Sequence, residues 1–271
     1  MQKEVLQKHA CNIRRNIIQM VYDAQSGHPG GSLGAVDILT YLYFEEMDVD
    51  KSNVASLERD RFVLSKGHTS PALYAVLYEA GLLQEDLSTF RQINSKLQGH
   101  PNMNYVAGVD MSTGSLGQGI STAVGMALAN RLDQSSHRIY VLVGDGESEE
   151  GLVWEAMMAA GHYQLDNLCV IFDVNHLQID GKIEDVLNPM PLDKKAEAFQ
   201  FHVICCDGHD FDDLQRAFDE AGKTKGKPTA IIANTIKGKG VSFMENNYAW
   251  HGSAPNEEQY LQAMEELKEG I

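Results

Sequence analysis

Cysteine is scarce in this chain, with four in 271 residues, at Cys11, Cys169, Cys205 and Cys206. Their spacing fits neither a zinc site nor the disulfide framework of a small secreted domain. Three fall in segments with strand character, and all four are expected to be buried free thiols in a reducing compartment. Basic residues are also in deficit, 22 Lys and Arg against 38 Asp and Glu, for a net charge of −16. That balance argues against nucleic acid or an anionic membrane surface as a partner. No apolar stretch approaches the length of a membrane span. Met1-Gln2-Lys3-Glu4 leads into a mixed polar and apolar helix rather than a signal-peptide core, so a cytoplasmic location is expected. Internal repeats and linkers rich in Pro, Ser or Gly are missing too. What remains is 43% apolar, enough for a sizeable core, and residues 1–271 read as a single domain.

Helical periodicity runs over residues 3–24, with Leu6, Ala10, Ile13, Ile17, Met20 and Val21 on one face. Ser26-Gly27-His28-Pro29-Gly30-Gly31 breaks it, and 33–47 reads as a second helix. Residues 60–65 read as a short strand and 70–80 as a helix ended by Gly81. Thr113 to Gly119 opens a helix reaching about Leu132. Further on, strands are expected at 139–143, 168–172, 202–206 and 229–234, with helices at 151–163, 193–199, 212–221 and 257–268. Strands alternating with helices predict an α/β fold, a parallel sheet flanked by helices on both faces.

The segment 144–181 organises the rest. An apolar strand stops at Gly144-Asp145-Gly146, and a second ends at Asp173-Val174-Asn175. In such a sheet, ligands sit outside the carboxyl ends of the strands. Asp145 and Asn175 would meet there, and their oxygens with nearby carbonyls make a hard site suited to Mg²⁺ or Ca²⁺ carrying phosphate oxygens. Gly next to His recurs in loops: Gly27-His28, Gly67-His68, Gly99-His100 and His251-Gly252. Glycine permits close approach, and histidine moves protons near neutral pH. Four such pairs at element ends suggest a common pocket. Taken singly, each signal has a plainer reading. Asp145 could be a helix cap, Glu147 to Glu150 a solvated first turn, and 113–119 an ordinary Gly-rich helix start. Lys237-Gly238-Lys239-Gly240 reads as a flexible basic loop, and Asp207-Gly208-His209-Asp210 as a turn. Trp154 and Trp250 read as packing anchors. His9, His137, His162, His202 and His209 read as surface or packing histidines.

On these residues the chain resembles the amino-terminal, diphosphate-binding half of a transketolase. The matching stretches include Ser26-Gly27-His28-Pro29-Gly30, Ser65-Lys66-Gly67-His68, Gly99-His100-Pro101, Gly114-Ser115-Leu116-Gly117-Gln118-Gly119, Gly144-Asp145-Gly146 through Asn175, Ile179-Asp180-Gly181 and Trp250-His251-Gly252. They cover most of the chain in family order. The resemblance implies thiamine diphosphate and Mg²⁺ (or Ca²⁺ or Mn²⁺) as cofactors. Asp145, Asn175 and the carbonyl of Leu177 would hold the metal. Gly146, His68 and His251 would touch the diphosphate. Gly114 and Leu116 would lie against the rings, with Asp173 near the thiazolium and Ser115 and Glu147 also in the cofactor set. His28, His68, His100 and His251 would serve catalysis, and Glu150 would join two active sites at a subunit interface. Ser115 stands where many members have Pro, and His176 where Lys is common.

The family's activity is reversible transfer of a two-carbon ketol unit from a ketose phosphate-like donor to an aldose. Its pyrimidine-binding domain would have to come from elsewhere, because the chain stops near the end of the first domain. The expectation is therefore a split enzyme with a C-terminal partner subunit, in a heterotetramer of two copies of each chain. Alternatives are the alpha subunit of a 2-oxo acid dehydrogenase and a catalytically silent cofactor-binding subunit.

Overall fold

In the computed structural model, which describes residues 1–268, five parallel strands form one sheet. The strands are β1 (Arg61–Leu64), β2 (Ile139–Gly144), β3 (Leu168–Val174), β4 (His202–Asp207) and β5 (Thr229–Asn234), in spatial order β1-β2-β3-β5-β4. Helices α1 (Lys3–Ala24), α2 (Pro29–Gly34), α3 (Val36–Tyr41), α4 (Ser70–Glu79), α5 (Gln118–Leu132), α6 (Gly151–His162), α7 (Ile183–Val186), α8 (Leu192–Ala198), α9 (Phe211–Lys223) and α10 (Glu257–Glu266) complete the described chain.

Alternation along the strands divides the core into two layers, because successive side chains leave opposite faces of a strand. Phe62, Leu64, Tyr140, Leu142, Cys169, Ile171, Ile204 and Ile231 face α1, α3, α4 and α9. Val63, Val141, Val143, Val170, Phe172, Ala230 and Ile232 face α5, α6 and α8. Every residue of β2 and β3 is buried. That is why they read as unbroken apolar runs, each large side chain contributing about 1.5–3 kcal/mol.

Three expectations are corrected. The helix expected over 33–47 is broken: α2 and α3 meet at Ala35, and a π-turn over Leu42–Glu46 follows. The break lets α2 lie flat against the loops behind it, since a Cβ on Gly34 would come within 3.0 Å of the Ile236 carbonyl. Cys205 is exposed, whereas Cys11, Cys169 and Cys206 are buried. The cause is topological: β4 pairs only with β5, at the sheet edge, and α8 leaves part of its outer face bare. The terminal helix ends at Glu266 rather than 268, and 269–271 lie outside the described residues.

Candidate active site

The carboxyl ends of β1, β2, β3 and β5 open on a cleft of about 400 Å³. At the end of β2, Asp145 turns its carboxylate back onto the neighbouring strand end. One oxygen accepts from the Gly146 N–H at 2.8 Å, and the other from the N–H groups of Asn175 at 2.8 Å and His176 at 2.5 Å. His176 can serve this bond because its backbone is left-handed, φ 59°. The Asn175 side-chain oxygen accepts from the Leu177 N–H at 3.1 Å. Asp145, Asn175 and Leu177 are thus tied into one oxygen-rich corner. Burial, and then the charge of Asp173, push Asp145 up to about 6.

Three imidazoles form the opposite wall. His28 precedes α2, His68 sits in the turn after β1, and His251 follows the 3₁₀ turn Tyr248–Trp250. Their ring centroids lie 5.1, 5.1 and 5.4 Å apart. Burial, with the nearby Arg91 charge, pushes His28 down to about 4. Burial and Lys237 push His251 down to about 3, and burial with Lys66 lowers His68 strongly. All three are therefore neutral near pH 7, able to accept protons. His28 Nδ1 is buried without a hydrogen-bond partner. His100 stands outside this trio, exposed, its ring 3.1 Å from where a Gly114 Cβ would sit. Burial and the Arg91 charge lower it too.

The remaining expected residues separate. Gly114, Leu116, Gly146, Glu147 and Glu150 line the cleft. Glu147 does so with a carboxylate already engaged: one oxygen accepts from Ser65 Oγ at 2.6 Å and Gly117 N–H at 2.9 Å, the other from Gly144 N–H at 3.0 Å. It straps the Gly-rich turn before α5 to the end of β2 and has little left for a ligand. Glu150 is exposed at the start of α6, against Gly117, whose own Cβ would come within 2.8 Å of it. Ser115 is exposed to solvent. Asp173 is fully buried behind the cleft wall, bonded to Lys66 Nζ and Thr235 Oγ1. Burial alone would raise it, but the Lys66 charge and these bonds hold it below the usual carboxylate range.

Two lysines had no expected role. Lys66 follows β1 and Lys237 follows β5, and both are buried in the cleft wall. Lys237, taken from the sequence as part of a flexible loop, donates to the Leu177 carbonyl at 3.1 Å and to His251 Nδ1 at 3.0 Å. Among the described residues it has no carboxylate bonded to it, and burial and Lys66 push it down to about 8. The available signal was position: each lysine comes within three residues of a strand's carboxyl end.

This donor set is specific. Among the described residues, no three His, Cys, Asp or Glu side chains are arranged to hold a metal by themselves. One carboxylate, one amide oxygen and one carbonyl suit a hard divalent cation that takes its other ligands from phosphate and water. Lys66, Lys237 and three neutral imidazoles supply donors for that phosphate. The residues therefore fit a metal–diphosphate group.

The family comparison agrees. Residues 5–268 match the model of the transketolase, thiamine diphosphate binding domain. The chain is 46% identical over 268 residues to the 6-deoxy-6-sulfo-D-fructose transketolase subunit SqwG of Clostridium sp. (strain MSTE9), covering 98% of this chain and 97% of that one. It is 41% identical over 272 residues to an apulose-4-phosphate transketolase subunit of Phocaeicola vulgatus, covering 100% and 96%. The transketolase of Campylobacter jejuni superposes with a TM-score of 0.92 at 38% identity, over 99% of this chain and 43% of that longer one. These matches decide between the transketolase and 2-oxo acid dehydrogenase readings. The chain belongs to the transketolase family of transferases, spanning its thiamine diphosphate binding domain.

Proposed function

We propose that this chain is the diphosphate-binding subunit of a split transketolase, a single cofactor-binding domain that moves a two-carbon ketol unit from an anionic ketose to an aldose. The carrying observation is the trio of neutral imidazoles, His28, His68 and His251, facing the Asp145–Asn175–Leu177 oxygen corner across one cleft. Asp145, Asn175 and the Leu177 carbonyl would hold Mg²⁺, or Ca²⁺ or Mn²⁺ in its place. Gly146, His68, His251 and Lys237 would hold the diphosphate. When bound, thiamine diphosphate supplies the electron sink that lets the bond between the second and third carbons of a ketose break.

The chain's own work is orientation and proton transfer. His28 would take the proton of the donor hydroxyl beside that bond, and His251, its Nδ1 occupied by Lys237, would donate to that hydroxyl through Nε2. His100, exposed at the cleft mouth over Gly114, would bind the donor's terminal hydroxyl. Lys237 donates to His251 Nδ1, which places the ring proton on Nε2 and fixes which nitrogen faces the rest of the trio.

A partner is needed because this domain supplies only the diphosphate half of the cofactor site. Two relatives that this chain covers over nearly their whole length are transketolase subunits. The faces of α5 and α6 support assembly: Leu132 is 83% exposed, Met158 60% and Tyr163 49%. Gly125 and Gly151, on the same helices, have open space where a side chain would be. Such small and apolar surface is suited to close docking. We place the C-terminal subunit there, with Glu150 at the junction, in a heterotetramer of two copies of each chain in the cytoplasm. The relatives are named for 6-deoxy-6-sulfo-D-fructose and apulose-4-phosphate, which supports a ketose carrying a phosphate or sulfonate.

Reconstitution tests this. Purified chain, partner subunit, thiamine diphosphate and Mg²⁺ should give ketol transfer, while either chain alone should give none. Robust transfer by the isolated chain would defeat the split-site reading. Unchanged turnover and substrate affinity on His100→Ala would favour a silent subunit.

A further inference from the structure

We propose that His209, with Asp37 and Arg14, positions Lys237 from outside the cleft, by gripping both ends of the turn Ile236–Lys239. The proposal rests on the reading of Lys237 as a diphosphate-holding residue. His209 Nε2 receives the backbone N–H of Ile236 at 2.7 Å. A peptide N–H can only donate, so this nitrogen carries no proton. The proton is then on Nδ1, which donates to Asp37 Oδ2 at 2.7 Å. Asp37 is held in turn by Arg14, through Nη1 at 3.1 Å and Nη2 at 2.6 Å. Arg14 Nε donates to the Lys239 carbonyl at 3.1 Å, closing the chain on the far end of the same turn.

Between the two grips, the turn has little freedom. The Gly238 N–H donates to the Gly30 carbonyl at 2.8 Å. Gly238 is left-handed, φ 81°, and a Cβ there would stand 2.3 Å from the Met244 carbonyl. Lys237 leaves from this fixed backbone into the cleft, its ammonium buried and bonded to Leu177 O and His251 Nδ1. Arg14, Asp37 and His209 lie outside the cleft lining. A lysine on a mobile turn would carry its charge out to water. Fixing the backbone on both sides removes that escape, as a supporting shell does for a binding group. Stabilisation alone is a weak explanation, because a buried ion pair often gains little over apolar packing.

Two substitutions separate the halves of the imidazole. His209→Asn keeps an amide near Nδ1 for Asp37 and leaves Ile236 without an acceptor. His209→Gln reaches the Nε2 position, keeps an acceptor for Ile236 and gives up Asp37. Thiamine diphosphate and inorganic pyrophosphate, each with Mg²⁺, are titrated by calorimetry into the full chain assembled with its partner. H209N and K237M should each weaken both probes by about tenfold or more, the scale of one charge-assisted hydrogen bond. H209Q should keep most of the affinity, and the double variant K237M/H209N should bind no more weakly than K237M alone. Nitrogen-15 shifts of the His209 ring should show Nδ1 protonated and Nε2 bare. Unchanged binding by H209N, multiplicative losses in the double variant, or the reverse tautomer overturns the proposal. So does an equal loss in H209N and H209Q that tracks melting temperature, which marks a purely structural role. Wild-type protein that binds neither probe sinks the diphosphate reading itself, and the role of Lys237 with it.

Discussion

Replacing Lys66 by methionine strips the only bonded cation, among the described residues, from a carboxylate that has no exposure to water. Asp173 would keep its bond from Thr235 Oγ1 but lose the ammonium that offsets its burial. Removing one partner of a buried pair costs about 3–5 kcal/mol. An independent route gives a similar figure: Asp173 could escape by taking up a proton, and near pH 7 that costs about 3 pH units, or about 4 kcal/mol. The two agree on about 4 kcal/mol, which at this chain length lowers the melting temperature by roughly 10 °C. The pH dependence has a definite sign. In the wild type, the depressed Asp173 contributes stability that is present above its unfolded value and lost as pH falls through its folded one. In K66M the carboxylate is raised instead, so its penalty is largest at neutral pH and fades on acidification. The gap between the two proteins should therefore narrow from about pH 7 towards about pH 4, by up to about 1.4 kcal/mol per unit. Urea unfolding at several pH values measures it, with K66M/D173N as the control that removes the stranded charge. A loss in K66M below about 1 kcal/mol, or no recovery in the double variant, would refute the reasoning.

Gly30→Ala should disturb the cleft from behind, because its Cβ would stand 2.8 Å from the Trp250 carbonyl, one residue before His251. We expect a loss of about 1–3 kcal/mol with weaker cofactor binding, and a stability gain from the better helix former would contradict this. Asp145, raised to about 6, contributes stability to the metal-free chain that is present at low pH and lost as pH rises through that value. A bound cation reverses this loss, so the rise in melting temperature produced by Mg²⁺ with thiamine diphosphate should grow from about pH 5.5 to about pH 7.5; an increment independent of pH would argue against a metal at Asp145. Met158→Glu, on the open face of α6, should leave the chain's melting temperature unchanged and block assembly with the partner in gel filtration, whereas normal assembly would move the interface elsewhere.

Much of the fold was legible because its signals are local. The buried strands β2 and β3 are unbroken apolar runs, and the glycines and prolines beside them mark the loops that carry His28, His68 and Asp145. The position of β4 was not legible. Its order outside β5 depends on which crossover the chain takes, and that is why Cys205 reaches solvent. Lys66 and Lys237 were overlooked for a related reason. A lysine beside a glycine has the same local pattern whether it is solvated or buried, and only the convergence of β1, β3 and β5 shows these two meeting at one cleft. The strut that Glu147 forms was not legible either, since the residues that satisfy it, Ser65 and Gly117, are 82 and 30 positions away. His209 was indistinguishable from a packing histidine until Asp37 and Ile236 closed around it.

The central claim is that the corner formed by Asp145, Asn175 and Leu177 takes a divalent metal carrying the diphosphate of thiamine diphosphate. Crystals of the chain with its partner, grown with Mn²⁺ and thiamine diphosphate, give the most direct measurement. An anomalous difference peak is predicted within bonding distance of the Asp145 carboxylate, the Asn175 side-chain oxygen and the Leu177 carbonyl. Cofactor density in the cleft with no peak at that corner, or a peak held by other residues, would contradict the account.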